Sequence, residues 1–564
     1  MGNPELDLRL DVKVPMRDGV SLSADIYLPR TEGPFPTVLV RTPYSNNLEN
    51  LIGRAHQLAQ WGYACVLQDV RGRWDSEGDF RPFFDEAEDG YDTQQWIGQQ
   101  TWSNGRIGMS GASYPAAVQW LSAPLRSEYL TCLVPRVMCN NYFQELIFPG
   151  GAFHLNVALT WGMRTRARTA QSIDFHNWTE EFHTLPLAET AANVGDDVPF
   201  WQDWLDHPTE DEYWAPLNVT KKFGEIEVPV LEMTGWYDLY QRRAFDNFNG
   251  LRKHGRTLEA RDPKLIVGPW PHLLSQCTRT GEVDFGADSK LDLDALELEW
   301  FDHWLKDVPS DALGAAPLRL FIMGANRWRD EQEWPLARTD WQEWYFHSSG
   351  KANTAIGDGT LSRTLPADEP ADTFVYDPRF PVRTIGGANC CSPHLVPWGP
   401  HDQRQVEMRS DVLCYTSAVL DEDTEITGPI KVILYAASDA RDTDWTAKLV
   451  DVSATGNAIN LCDFIVRARY RESFTDPTLI EPEVVYEYTI EVGNTANVFR
   501  QGHQIRVEIS SSNFPRFDRN LNTGHAIGKD AELLPAHQKV HHSQMYPSRI
   551  LLPVIPAGSN STSR

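Results

Sequence analysis

The first 140 residues alternate short apolar runs with amphipathic stretches. From Leu8 to Pro29 the chain predicts two strands around the turn Arg17-Asp18-Gly19; Leu22, Ala24, Ile26 and Leu28 alternate with polar residues, as in a half-buried strand. Pro36 to Arg41 and Tyr63 to Gln68 are near-continuous apolar runs, the pattern of strands buried on both faces of a parallel sheet. Helical stretches separate them, at Phe84 to Ile97 and Pro115 to Ala123, and Leu130 to Val134 is a further strand. Strands alternating with helices predict an α/β layer.

The rhythm breaks near residue 140. Asn140 to Phe223 is rich in aromatics, His and Asn, with Trp161, Trp178, Trp201, Trp204, Tyr213 and Trp214, and predicts an inserted helical cap. Strands resume at Val228 to Gly235 and Lys264 to Gly268, followed by an amphipathic helix from Leu293 to Lys306 with Leu293, Leu296, Trp300 and Trp304 on one face. From Leu318 onward strand-like runs follow one another: Leu318–Met323, Val412–Thr416, Val432–Ala437, Ala447–Val452, Ile465–Tyr470, Val484–Val492 and Ile505–Ser510. Many short strands at this spacing predict a β-sandwich or jelly roll. The predicted organisation is an α/β catalytic domain (1–140 and 225–330), a helical cap (141–224) and a jelly-roll β domain (331–564).

Composition narrows the partners. The formal charge of −27, from 51 basic and 78 acidic residues, argues against nucleic acid and anionic membrane. Twenty Trp suit aromatic-lined clefts as well as packing. The start of the chain shows neither a signal peptide nor a good myristoylation context, and no apolar run reaches membrane-spanning length. The eight cysteines lack ligand spacing, and Cys390-Cys391 are adjacent and poorly placed to pair, so reduced cytoplasmic thiols are expected. There is no Walker-type loop, dinucleotide fingerprint or His/Cys ligand cluster, so neither metal nor cofactor is expected. A disordered tail is expected from Gly558, and a homo-oligomer is compatible with all of this.

The candidate chemistry lies in Arg106-Ile-Gly-Met-Ser-Gly-Ala-Ser-Tyr-Pro115, a strand, a glycine turn, one serine and a helix start. A serine on such a turn is held out of the sheet with the following N–H groups free. Two later strands end in the partners a serine nucleophile needs: Val230 to Asp238 delivers a carboxylate and Leu265 to His272 an imidazole. Ser113, Asp238 and His272 stand in the chain order of an α/β-hydrolase triad. The N–H of Tyr114 is a candidate oxyanion donor; Tyr44, ending an earlier strand, is either the second donor or a packing residue.

Five ordered motifs then resemble one family: Arg41-Thr-Pro-Tyr44, Gln68-Asp-Val-Arg-Gly72 with Ser76-Glu-Gly78, Gly111-Ala-Ser-Tyr-Pro115, Gly235-Trp-Tyr-Asp238 and Gly268-Pro-Trp-Pro-His272. Together they resemble the cocaine esterase / X-prolyl dipeptidyl peptidase / α-amino-acid ester hydrolase family. The C-terminal motifs Asp402-Gln-Arg404, Asp442 to Asp451 and Gly502 to Arg506 extend the likeness over nearly the whole chain. The resemblance implies a serine hydrolase with Ser113, Asp238 and His272 as triad and Tyr44 and Tyr114 as oxyanion hole. It implies that Trp161 and Tyr240 line the substrate pocket, that the segment Asn389 to Trp398 faces it, and that Asp69 and Arg71 pair as scaffold. The departure is Ala116, where the family carries glycine. A carboxylesterase acting on small-molecule esters or amides is the first expectation. X-prolyl dipeptidyl peptidase and α-amino-acid ester hydrolase or acyltransferase are the rivals; both must capture a free amine, for which Asp211-Glu212 is the candidate. A catalytically silent hydrolase serving as a binding module is the reading of another class.

Overall fold

The computed structural model describes residues 6–170, 176–194, 198–274, 277–310 and 316–558. The predicted tail lies, from Ser559 on, outside them.

The first sheet has ten strands. In chain order they are β1 (Asp7–Pro15), β2 (Ser21–Leu28), β3 (Phe35–Thr42), β4 (Ala64–Asp69), β5 (Ser103–Ala112), β6 (Leu130–Arg136), β7 (Leu231–Tyr237), β8 (Lys264–Pro271), β9 (Leu318–Ile322) and β10 (Arg327–Glu331). Their spatial order is β1-β2-β4-β3-β5-β6-β7-β8-β9-β10, parallel from β4 through β9. The helices are α1 (Glu49–Gln60), α2 (Glu86–Gly98), α3 (Tyr114–Ser122), α4 (Leu155–Thr165), α5 (Pro199–Asp206), α6 (Gln241–His254) and α7 (Leu293–Lys306), with shorter turns between.

The apolar runs are continuous because each strand feeds two cores. Val38, Val40, Cys65 and Leu67 pack with Leu58 and Ala59 of α1 and Trp300, Phe301 and Leu305 of α7. Their neighbours Leu39, Ala64 and Val66 face the opposite side, with Ile97 of α2 and Val118 and Leu121 of α3. Alternate side chains of a strand point to opposite faces, so a strand covered on both must be apolar throughout. As expected, Leu293 and Trp300 are buried on α7, with Leu296 and Trp304 packed beside them.

The cap lies between β6 and β7. Helices α4 and α5 bury Trp161, Phe200, Trp201 and Trp204. The second sheet, of eleven strands, begins at Asp340–His347 and ends at Arg549–Ile555. Its core residues, among them Phe346, Tyr415, Val432, Trp445, Ile490 and Ile509, are continuous with Trp236 and Tyr237 of β7, Leu265 and Val267 of β8 and Phe245 and Phe248 of α6. The jelly roll is therefore packed on the hydrolase sheet by a shared core.

Three details differ from the sequence reading. The run at Leu318, grouped above with the later strand-like runs, pairs in parallel with β8 as β9 and completes the first sheet, within the 225–330 bounds given for the α/β domain. The strand read to Tyr470 stops at Arg467, and residues 468–470 form one 3-10 turn. Arg71 does not pair with Asp69. It binds Asp89 at 2.6 Å and Asp18 at 2.8 Å, while Asp69 accepts the Asn46 N–H at 2.8 Å. The strand ends at Asp69, and Arg71 lies in the turn beyond it, where the side chain reaches Asp18 and Asp89 instead.

His542 is buried in the jelly roll, its Nε2 2.9 Å from Asp372 and its Nδ1 3.2 Å from Glu369, with Ser348 Oγ also on Nε2 at 3.1 Å. The carboxylates of Asp372 and Glu369 hold its pKa above the ordinary 6.5 against the opposing effect of burial. Its contribution to stability is therefore complete below pH 6.5 and is lost as pH rises through the elevated value. Melting temperature followed across this range is expected to carry a downward component with rising pH that His542→Gln removes.

Candidate active site

The site is assembled from the carboxyl ends of five strands, as open α/β sheets dictate. Ser113 sits between β5 and α3 at φ 61°, ψ −124°, outside the regions L-residues ordinarily populate. Gly111, at φ +150°, permits this: a Cβ there would stand 2.3 Å from Pro115 Cβ. The Ser113 N–H donates to Arg136 O at 3.0 Å, and its carbonyl accepts from Ala116 and Ala117 at 2.8 and 3.0 Å. Pro115 occupies the first turn, where a missing N–H costs no helical bond. Ala116 is fully buried in the core, so its methyl is accommodated.

His272 Nε2 lies 3.0 Å from Ser113 Oγ, and His272 Nδ1 lies 2.9 Å from Asp238 Oδ1. Asp238 is fully buried, and its second oxygen accepts from Thr234 Oγ1 at 2.8 Å. Gly235 lets β7 and β8 converge on this pair, since a Cβ there would fall 2.0 Å from Trp270 O. The spacing suits an imidazole that takes a proton on Nε2 while a carboxylate holds the Nδ1–H.

Two tyrosines flank the serine. The Tyr114 N–H is at the first position of α3, where the helix supplies no acceptor. Its side chain is tied elsewhere: the hydroxyl donates to Glu86 Oε1 at 2.7 Å and accepts the Phe83 N–H at 2.9 Å. The Tyr44 hydroxyl accepts from Trp161 Nε1 at 2.9 Å, and Tyr44 lines the same cavity as Ser113. Burial raises the Tyr44 pKa, and the bonds to Trp161 and Ser113 oppose it.

The surroundings are charged and dry. Burial pushes Asp69 up to about 7 and Glu86 up to about 7, the latter against Arg41 at 2.8 Å. Burial lowers Arg73 to about 10, so it remains cationic at neutral pH. Its Nε donates to Pro43 O at 2.9 Å and its Nη1 to Thr165 O at 2.7 Å, joining the loop of Tyr44 to the end of α4.

A narrow cavity opens beside Ser113, lined by Tyr44, Phe83, Tyr114, Met138, Leu146 and Val157 together with Trp161, Tyr240, Cys390 and Cys391. Tyr240 stands edge-on to His272, with ring centroids 5.6 Å apart. The structure thus brings Ser113, Asp238, His272, Tyr44, Tyr114, Trp161 and Tyr240 to one place. It does not bring Asp211-Glu212 there: Asp211 binds His207 at 2.8 Å and the Tyr213 N–H at 3.0 Å, and Glu212 is exposed.

The expectation of unpaired Cys390 and Cys391 is corrected: the two form a disulfide with each other. Cys391 adopts φ +78°, which breaks the alternation that would send adjacent side chains apart. Sequence reasoning missed Phe83, Met138, Leu146 and Val157 as lining residues. Their only signal is apolarity, which they share with every core position.

Residues 18–274 match the family described as X-Pro dipeptidyl-peptidase (S15 family), and residues 313–551 its C-terminal non-catalytic domain. The cocaine esterase of Rhodococcus sp. (strain MB1 Bresler) is 38% identical, over 97% of this chain and 98% of its own. The chain belongs to the cocaine esterase / X-Pro dipeptidyl-peptidase family. A putative serine esterase of Mycobacterium tuberculosis is 24% identical over 96% of this chain and 94% of its own. Among solved structures, an aminopeptidase from the marine sediment archaeon Thaumarchaeota archaeon superposes with a TM-score of 0.85 at 26% identity, covering 98% of this chain and 96% of that one. An α-amino acid ester hydrolase superposes with a TM-score of 0.83 at 25% identity, covering 98% and 97%. The family relationship makes this chain a serine ester hydrolase of α/β-hydrolase and jelly-roll architecture. Among the described residues no helix is long and apolar enough to cross a membrane.

The contact between Gly111 and Pro115 is testable. Gly111→Ala is expected to cost ~1–3 kcal/mol, the range for overpacking a tight site, and to lower esterase activity. Denaturant unfolding and turnover of a p-nitrophenyl ester measure the two.

Proposed function

We propose a carboxylesterase that cleaves small esters with uncharged, apolar acyl groups through an acyl-enzyme on Ser113. Ser113 Oγ attacks the ester carbonyl carbon and its proton passes to His272 Nε2. Asp238 holds the Nδ1–H tautomer and stabilises the imidazolium. The carbonyl oxygen becomes an oxyanion, which accepts from the Tyr44 hydroxyl and the Tyr114 N–H. The tetrahedral intermediate collapses, the ester C–O bond breaks, and the alcohol leaves with the proton from His272. Water, deprotonated by the same imidazole, then repeats the sequence on the acyl-enzyme and releases the acid.

The observation that carries the acyl preference is the lining. Among the described residues around the cavity there is no carboxylate. Glu145, near the base of the cap, is engaged by Arg243 at 2.8 Å and Arg242 at 3.6 Å, and Glu210 by Asn218 at 2.8 Å and Gln144 at 2.6 Å. A dipeptidyl peptidase or α-amino-acid ester hydrolase must neutralise a substrate ammonium in this space, because burying an unpaired cation is costly. The apolar wall favours an acyl group without one. Among the described residues Cys65, Cys132, Cys139, Cys414 and Cys462 are buried thiols outside the disulfide, a pattern of reducing compartments, and on that ground we read the enzyme as cytoplasmic.

A fluorophosphonate probe is expected to label the protein and to fail on Ser113→Ala; undiminished labelling of that variant would refute the nucleophile. Tyr44→Phe is expected to lower kcat by ~10²–10³, the cost of one oxyanion donor, with an unchanged melting curve. On a matched panel, p-nitrophenyl esters of neutral short acids are expected to exceed Xaa-Pro p-nitroanilides and α-amino esters in kcat/KM by at least tenfold. Equal or greater turnover of the amine-bearing substrates would reverse the ordering.

A further inference from the structure

Trp161 belongs to the cap, and its ring faces the cavity. Its indole N–H, however, is directed at Tyr44, 2.9 Å from the hydroxyl oxygen. An indole nitrogen can only donate, whereas a phenol oxygen both accepts and donates. With Trp161 occupying one side of the Tyr44 oxygen as a donor, the phenolic hydrogen must point elsewhere. Tyr44 and Ser113 line the same cavity, the space in which the oxyanion would form. A donor onto a phenol oxygen also polarises its O–H, since hydrogen bonds in series strengthen one another in a low-dielectric site.

We propose that Trp161 is a positioning residue for the oxyanion hole, orienting and polarising the Tyr44 hydroxyl through its indole N–H. The inference rests on the oxyanion role given to Tyr44 above. The surroundings hold the indole for this task. Its ring is nearly parallel to Phe83, Tyr114 and Trp204, at 5.7 Å and 15°, 6.1 Å and 21°, and 6.4 Å and 20°. Thr165 Oγ1 donates to the Trp161 carbonyl at 2.9 Å, tying the end of α4. Arg73, fully buried, bonds both to Pro43 O beside Tyr44 and to Thr165 O at the end of α4, and Trp74 Nε1 adds a bond to Pro43 O at 3.1 Å. The loop that carries the acceptor and the helix that carries the donor are thus clamped to each other. A residue of the inserted cap completes a device otherwise built by the sheet, so the cap takes part in catalysis as well as enclosing the substrate.

The test is a double-mutant cycle of Trp161→Phe and Tyr44→Phe, assayed on p-nitrophenyl acetate, whose acyl group is too small to need the ring as a wall. Trp161→Phe keeps an aromatic ring and removes the N–H. It is expected to lower kcat about tenfold or more, as for a hydrogen bond serving a charged state, with KM within about twofold. In the Tyr44→Phe background it is expected to cost less than about twofold further. If Trp161→Phe melts early, site-specific β-(3-benzothienyl)alanine at 161 replaces the N–H with sulfur in a ring of the same shape, with the same expected loss. A defect confined to KM, or an undiminished tenfold loss on top of Tyr44→Phe, overturns the inference and leaves the oxyanion role of Tyr44 intact. Full activity of Tyr44→Phe alone overturns both.

Discussion

The backbone at Ser113 is the constraint on which the site depends. A non-glycine residue in a sparsely populated conformation costs on the order of 1–3 kcal/mol and survives only when its neighbours over-determine it. Here the neighbours are identifiable. Arg136 O takes the Ser113 N–H, α3 takes its carbonyl, and Pro115 closes on a glycine that has no Cβ to obstruct it. The consequence is directional. The hydroxyl leaves the sheet toward His272, and Tyr114, the first residue of α3, lines the same cavity. The departure from the family pattern at Ala116 does not disturb this, because the methyl is fully buried in the core and the Ala116 N–H still closes on the Ser113 carbonyl at 2.8 Å.

Around that apex the chain arranges buried polar groups whose geometry is set at a distance. Glu86 on α2 holds the Tyr114 hydroxyl. Asp69 at the end of β4 holds the loop after Tyr44 through Asn46. Arg73 spans that loop and the cap. These groups are withdrawn from water, so their bonds are stronger and their directions better defined than on a surface. The cost is visible in the elevated carboxyl pKa values of Asp69 and Glu86. The jelly roll contributes the disulfide-linked Cys390 and Cys391 to the wall, held to α4 by the bond from Asn156 Nδ2 to Cys390 O at 3.2 Å. Sheet, cap and jelly roll therefore each supply part of one cavity.

Much of the architecture was legible because burial imposes simple periods. Strands covered on both faces read as unbroken apolar runs, and α7 shows its apolar stripe at helical spacing. The meeting of Ser113, His272 and Asp238 was legible for a different reason. Strand-to-loop transitions place chemistry at one sheet edge, and order along the chain discriminates between hydrolase types. The errors share one cause. The run at Leu318 has the composition of the later strands and groups with them although the 225–330 bounds contain it; its parallel pairing with β8 places it in the first sheet. Arg71 and Asp69 are close in sequence, but the strand end turns them apart.

Sequence alone thus determined the elements, the division into an α/β sheet, a cap and a β domain, and the residue types that can carry acyl transfer, because these follow from local periodicity and from motifs confined to a few residues. Tertiary structure decided what each side chain touches. That Trp161 donates to Tyr44 across 117 positions, that Asp211 is occupied by His207, and that Cys391 turns back onto Cys390 depend on which surfaces meet and at what angle. Apolarity brings those surfaces together without specifying the angle; directional bonds made after they meet fix it.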